Sequence, residues 1–382
     1  MNKLKVMTIF GTRPDAIKMA PLVKELEKYP EIEPVVCVTA QHRQMLDQVL
    51  DIFKISPQHD LNIMQDRQTL EQITTRALEG LSEVFLSNRP DIVLVHGDTA
   101  TCFAAALGAF YHKIPVGHVE AGLRTFDRYS PFPEEMNRKL TGALANLHFA
   151  PTEANRSNLL REGIAADKIY VTGNTVIDAL KTTVKKDYTF QNPALEKMNF
   201  DGKRIIAVTA HRRENLGEPL EQICLSLGDI ADSYEDVNII YAVHLNPAVR
   251  ETAFKILGSN PRVHLIDPLD AQDMHNLMNW SYLVMTDSGG LQEEAPSLGK
   301  PVLVLRKETE RPEAVTAGTV RLAGTNRENI KALATQLLDD PEEYAKMAKA
   351  VNPYGDGTAS ERIVKAVLYE FGLSKNKPKA FA

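Results

Sequence analysis

Cysteine is scarce in this 382-residue chain: Cys37, Cys102 and Cys224 stand far apart and in no metal-ligand spacing. That excludes a disulfide framework and a thiolate metal site, and it agrees with a reducing compartment. No run approaches the ~18 consecutive apolar residues of a membrane span. The N-terminus passes from Lys3 and Lys5 straight into a strand-like run, with no apolar leader and no cleavage site, so the cytoplasm is the expected location. No strand-like run is followed by G-x-G-x-x-G, and the first glycine loop has Arg13 where a dinucleotide fingerprint needs further glycines. No nicotinamide cofactor is therefore expected, and no metal. Excess positive charge is missing too: 44 basic against 50 acidic residues leave a net charge of −6, which argues against a nucleic-acid partner but leaves room for a local basic pocket.

What is present has the makeup of an ordinary globular protein, 43% hydrophobic and 25% charged, and the length suggests two domains. Short β-branched runs alternate with helical patterns. Strands are read at Lys5 to Phe10, Pro34 to Thr39, Asp91 to His96 and Ile114 to Val119. Helices follow the first strand to about Lys28, then run from Gln41 to Phe53, Thr69 to Leu86 and Thr101 to Tyr111. The rhythm restarts with strands at Arg204 to Thr209, Val237 to Val243 and Val263 to Ile266. Repeated βα winding predicts α/β architecture with parallel sheets covered on both faces. Two doubly wound, Rossmann-like domains facing a central cleft are expected. They are read as residues 1–170 and 171–355, with a C-terminal helix, 356–382 with its tail, returning to the first domain. The tail from Lys375 reads as disordered.

Ligands of such sheets bind outside the carboxyl ends of the strands, so the loops there carry the candidate site. Arg13 and Lys18 follow the first strand; His96, Gly97 and Asp98 follow Val95; Glu120 and Arg124 follow Val119; His211, Arg212 and Arg213 follow Val208. Asp98 is also a candidate N-cap for the next helix. Further on, Tyr129 to Arg138 adds Glu134, Glu135 and Arg138 at the start of a helix, with Glu134 and Arg138 at i, i+4 on one face. The stretch Thr286 to Leu305 reads as strand end, glycine turn, short helix and second strand. Its helix N-terminus at Ser288 is an anion site in waiting, Gly289 and Gly290 permit a tight turn and close approach of a phosphate, and Glu294 suits the two hydroxyls of a ribose.

These stretches together resemble the non-hydrolysing UDP-N-acetylglucosamine 2-epimerases. The likeness runs through Gly11-Thr-Arg-Pro-Asp-Ala-Ile-Lys18, His96-Gly-Asp-Thr99, His118-Val-Glu-Ala-Gly-Leu-Arg-Thr125, Pro133-Glu-Glu-Met-Asn-Arg138, His211-Arg-Arg-Glu-Asn215, Asp287-Ser-Gly-Gly290, Gln292 to Gly299 and Glu310-Arg-Pro-Glu313. Asp15 departs from the glutamate common in the family; either acid suits the first turn of a helix.

The resemblance implies a GT-B-like fold, a homodimer, and reversible conversion of UDP-N-acetylglucosamine to UDP-N-acetylmannosamine by elimination and readdition of UDP. The product would supply cell-surface polysaccharide or teichoic acid precursors. Asp98, Glu120 and Glu134 are then the acid–base candidates, with the face each serves left open. His211 joins them, and with Arg13, Ser288 and Arg311 it meets the diphosphate. Lys18 supports the carboxylates, Arg138 lies among them, Glu294 takes the ribose, and Leu269 offers backbone groups to uracil. Some members bind a second, activating UDP-N-acetylglucosamine, for which Gln41, Gln44, Arg67, Arg212 and His244 match. A hydrolysing epimerase, a GT-B glycosyltransferase and a non-catalytic UDP-sugar sensor are the alternatives.

Overall fold

The computed structural model of the protein describes residues 3–41 and 43–381. Met1, Asn2 and Ala382 lie outside the described residues, as does His42 in the helix expected from Gln41. The chain divides into two units, one running to Thr182 and resuming at Tyr354, the other Thr183–Pro353.

The sheet of the first unit consists of β1 (Leu4–Phe10), β2 (Ile32–Val38), β3 (His59–Asp60), β4 (Ile92–His96), β5 (Val116–Val119), β6 (Leu147–Ala150) and β7 (Ile169–Val171). All its strands are parallel, in the order β3-β2-β1-β4-β5-β6-β7. Both faces are buried, which is why β1 reads as a nearly continuous apolar run. Val6 and Phe10 pack with Met19 and Val23 of the helix Arg13–Leu26 on one face. Met7 and Ile9 meet Phe85 and Ala105 from the helices Leu70–Ser87 and Ala100–Tyr111 on the other. The returning helix Ala359–Glu370 adds Ile363, Val364 and Val367 to the first of these cores.

The second unit repeats the plan with β8 (Arg204–Thr209), β9 (Val237–Ala242), β10 (Val263–Ile266), β11 (Leu283–Thr286), β12 (Val302–Val304) and β13 (Val320–Leu322). Its order is β10-β9-β8-β11-β12-β13, again all parallel. Strand order reverses beside β1 in one sheet and beside β8 in the other. The loops after β1, β4, β8 and β11 therefore open at the two switch points, where doubly wound sheets hold ligands.

Two boundaries differ from the expected ones. The first falls at Thr182 rather than 170, because the helix Thr175–Thr183 remains bound to the first unit. The Asn174 N–H donates to the Tyr354 carbonyl at 2.6 Å, and Asp178 accepts the N–H groups of Ala359 and Ser360 at 3.1 and 2.8 Å. The second falls after Pro353 rather than 355. The tail beyond Lys375 is irregular but attached, contrary to the expected disorder. The Phe381 N–H donates to the carbonyl of Val171 on edge strand β7 at 2.9 Å, and the Arg362 guanidinium lies 5.4 Å from the Phe381 ring centre. No helix among the described residues is long and apolar enough to cross a membrane.

Candidate active site

Glu120 is the centre of the first unit's site. It follows β5 in the left-handed region, φ 61°, a conformation that costs a β-carbon-bearing residue energy and persists only where its surroundings hold it. Its surroundings do so. Oε1 accepts from Lys18 Nζ at 2.5 Å and from Asn174 Nδ2 at 2.9 Å, while His96 Nε2 stands 3.2 Å from Oε2. Those partners come from the first helix, the loop after β7 and the end of β4. Gly97 leaves the room: a β-carbon there would lie 3.3 Å from Oε2, on a residue whose own φ is 64°. Burial lowers the His96 imidazole to about 4, Glu120 pulling it back up only in part, so the ring is neutral at pH 7.

Asp98 is not the N-cap of the following helix. Thr99 is, its hydroxyl oxygen accepting the Cys102 N–H at 3.2 Å, and the Asp98 carboxylate is left free for another role. Its Oδ2 accepts from Arg138 Nε at 2.8 Å and lies 2.7 Å from Nη2. Arg138 pairs with Asp98 and, at 3.2 Å, with Glu135, rather than with Glu134, its i, i+4 neighbour. The buried Glu135 also accepts the N–H groups of Thr125 and Phe126, each at 3.1 Å, and so ties the loop after β5 to the helix Glu134–Leu144. Glu134, the first residue of that helix, is half-buried.

Asp15 does more than suit a helix N-terminus. Its buried Oδ2 accepts the Gly11 N–H at 3.2 Å and the Thr99 hydroxyl at 3.4 Å, joining the loops after β1 and β4. Its Oδ1 is buried without a hydrogen bond. Burial raises this carboxyl to about 7, with the Asp98 charge adding to the rise and the Gly11 N–H opposing it. Arg13 opens the same helix, half-buried.

In the second unit, Asp287 organises the loop after β8. Its Oδ2 accepts the N–H groups of His211 and Arg212 at 2.6 and 2.7 Å and Asn215 Nδ2 at 3.1 Å; its Oδ1 lies 3.4 Å from His211 Nδ1. The His211 ring stacks on His244, centroids 5.1 Å apart and planes 6° apart. Burial holds the His211 imidazole below its usual range, and Asp287 opposes that shift. Arg212 Nε donates to the Asp287 carbonyl at 3.3 Å.

Ser288 precedes the helix Gly289–Ser297, and its hydroxyl makes no side-chain cap to that helix. Gly289 and Gly290 are the first helical residues and neither has a positive φ, which corrects their reading as turn glycines. They give space instead: a β-carbon on Gly289 would lie 3.6 Å from the Arg311 guanidinium, and one on Gly290 3.0 Å from Glu294 Oε1. Arg311 is held by Glu293. Leu269 is buried in the loop after β10.

Of the remaining candidates, Gln41 accepts from the Thr101 hydroxyl at 3.0 Å, while Gln44 and Arg67 are exposed. His96, Glu135 and Asp287 lie in the stretches the sequence marks, but no role is read for them there. Asn174 lies in none of those stretches.

The family model described as UDP-N-acetylglucosamine 2-epimerase matches residues 24–368. The UDP-N-acetylglucosamine 2-epimerase of Bacillus subtilis is 62% identical over 381 residues, covering 100% of this chain and 99% of that protein. The S. aureus MnaA–UDP co-structure superposes with a TM-score of 0.88 at 54% identity, over 99% of this chain and 100% of that one. The Neisseria meningitidis UDP-GlcNAc 2-epimerase bound to UDP-GlcNAc gives 0.86 at 52%, over 96% and 100%. With two doubly wound Rossmann-like units and matches of this extent, the chain belongs to the UDP-N-acetylglucosamine 2-epimerase family.

Proposed function

We propose that this isomerase-family chain interconverts UDP-N-acetylglucosamine and UDP-N-acetylmannosamine without net hydrolysis. Carbon 2 of the sugar bears the acetamido group and has no neighbouring carbonyl, so a carbanion there lacks support. Elimination avoids it. A base takes the carbon 2 proton, the freed pair forms the carbon 1–carbon 2 double bond, and UDP leaves with the electrons of the carbon 1–oxygen bond. Readdition of the phosphate oxygen to carbon 1, with a proton delivered to the opposite face of carbon 2, gives the epimer.

The observation that carries this reading is the Glu120 carboxylate gripped by Lys18 and Asn174 after β5, with the Asp98–Arg138 pair after the neighbouring strand β4. Asp98, Glu120 and Glu134 are assigned the acid–base steps, with Lys18 and Arg138 orienting two of them. Arg13, His211, Arg311 and the helix end at Ser288, Gly289 and Gly290 are assigned the diphosphate, which carries developing charge as it departs. Glu294 takes the ribose hydroxyls and the Leu269 backbone the uracil. The UDP and UDP-GlcNAc named in the staphylococcal and meningococcal relatives support these ligands. A cytoplasmic homodimer belongs to the same reading, as does a second, activating UDP-N-acetylglucosamine at Gln41, Gln44, Arg67, Arg212 and His244.

Incubation with UDP-N-acetylglucosamine alone in deuterated water tests it. The expected product is UDP-N-acetylmannosamine with deuterium at carbon 2. Free sugar plus UDP would identify a hydrolysing enzyme, and no turnover a transferase or sensor. Epimer without deuterium would replace elimination by an internal hydride route.

A further inference from the structure

One buried imidazole in the second unit has no part in the roles assigned above. His275 lies in the middle of the helix Ala271–Trp280, its Nδ1 2.7 Å from the Thr183 hydroxyl and its Nε2 3.2 Å from Glu294 Oε2. The Thr183 side of this contact is fixed in turn. Asn276, the next residue of the same helix, donates from Nδ2 to the Thr183 carbonyl at 2.8 Å and accepts the Lys185 N–H at 3.0 Å. One turn earlier, Asp273 accepts from the Tyr188 hydroxyl at 2.8 Å and from the N–H groups of Gln191 and Asn192 at 2.9 and 2.8 Å. The strap of residues 183–192 is thus fastened to the helix, and the imidazole is clamped at Nδ1.

A carboxylate only accepts, so the ring nitrogen facing it carries the proton. Glu294 is held from two sides: His275 faces Oε2, and the missing side chain of Gly290 makes room for Oε1. The two carboxylate oxygens thereby have distinct surroundings, Oε2 against the imidazole and Oε1 over Gly290. That is the arrangement a vicinal diol requires, since each hydroxyl donates to one carboxylate oxygen. Order imposed before binding removes a cost that binding otherwise bears.

We propose that His275 is a positioning residue that holds Glu294 for the ribose diol and thereby sets the preference for ribo- over 2′-deoxyribonucleotides. The inference rests on the assignment of Glu294 to ribose, and its test separates the two. Calorimetric affinities for UDP and dUDP are measured on the native chain, Glu294→Gln, His275→Phe and His275→Gln. The native chain is expected to favour UDP by roughly tenfold or more, the scale of one hydrogen bond to a charged group. Glu294→Gln brings the ratio close to one. His275→Phe keeps the bulk, loses both nitrogens and also collapses the ratio; His275→Gln, whose amide can face Glu294, restores most of it.

A merely structural histidine predicts a different pattern. His275→Phe would then weaken UDP and dUDP by the same factor and leave the ratio intact, which overturns the proposal. An intact ratio in Glu294→Gln removes the ribose from Glu294 and overturns the nucleotide assignment beneath it. Should His275→Phe fail to fold, His275→Gln with a collapsed ratio overturns the proposal by itself, because the donor toward Glu294 has been kept.

Discussion

The Lys18 ammonium and the Glu120 carboxylate, 102 residues apart in sequence, meet at 2.5 Å with little of either side chain exposed. Removing one partner of such a pair leaves the other buried charge without its countercharge, and that commonly costs about 3–5 kcal/mol, whereas removing both costs far less. Lys18→Met is therefore expected to lower stability by about 3 kcal/mol, and Lys18→Met with Glu120→Gln to recover most of the loss. Activity should be absent from both. Urea denaturation of the native chain, both single variants and the double variant completes the cycle. Strictly additive losses would mean that the two groups do not depend on each other.

The same logic of a charge held in place applies to Asp287 and His211. Asp287→Asn can keep its oxygen toward the N–H groups of His211, Arg212 and Asn215 while losing the negative charge 3.4 Å from His211 Nδ1. Burial already depresses this imidazole and Asp287 offsets part of the effect, so the neutral amide should depress it further. If protonated His211 receives the departing diphosphate, activity is lost as pH rises through its titration. In Asp287→Asn that limb of the kcat/KM profile should move to lower pH. A limb that stays in place would detach His211 from the leaving group.

How far such a site is legible beforehand depends on how local its determinants are. Arg13, Asp98 and His211 stand shortly after buried parallel strands, whose apolar runs are plain in the sequence, and Lys18 lies in the helix after the first, so their position at the carboxyl ends of the sheets follows from winding alone. The grip of Asn174 on Glu120 does not. It exists because β5, β6 and β7 are neighbours in the sheet, and no spacing announces that. Helical periodicity pairs Arg138 with Glu134, yet the packed interior uses Glu135 to hold Arg138 and two loop N–H groups. Gly289 and Gly290 read as turn glycines that also leave room for a phosphate; in the fold they open the helix without positive φ, and their missing side chains leave volume beside Arg311 and Glu294. The tail reads as disordered because its few anchors, Phe381 on β7 and under Arg362, are isolated residues in a polar stretch.

Asp15 offers a measurement in which pH and stability are linked with a definite sign. The folded chain keeps the Asp15 proton up to about pH 7, while the unfolded chain releases it near the ordinary value of 3.8. Between those values the folded state binds more protons than the unfolded one, so this group makes stability fall as pH rises, and its full cost is present above pH 7. Below pH 3.8 both states are protonated and the group contributes nothing. His96 and His118, which burial lowers to about 4 and about 3, act in the opposite sense over much of the same range. A melting curve of the native chain therefore mixes the two effects; a difference against Asp15→Asn cancels the histidines. The variant is neutral at every pH and retains an oxygen for the Gly11 N–H. Its melting temperature relative to the native chain should accordingly rise from pH 4 and level off above about pH 7, by an amount on the order of a few kcal/mol. In the same variant the loss of a titrating charge beside Asp98 should remove an inflection near pH 7 from the kcat profile. A stability difference that is flat across this range would mean that Asp15 ionises normally in the fold, and that its link between the loops after β1 and β4 is made by an ordinary carboxylate.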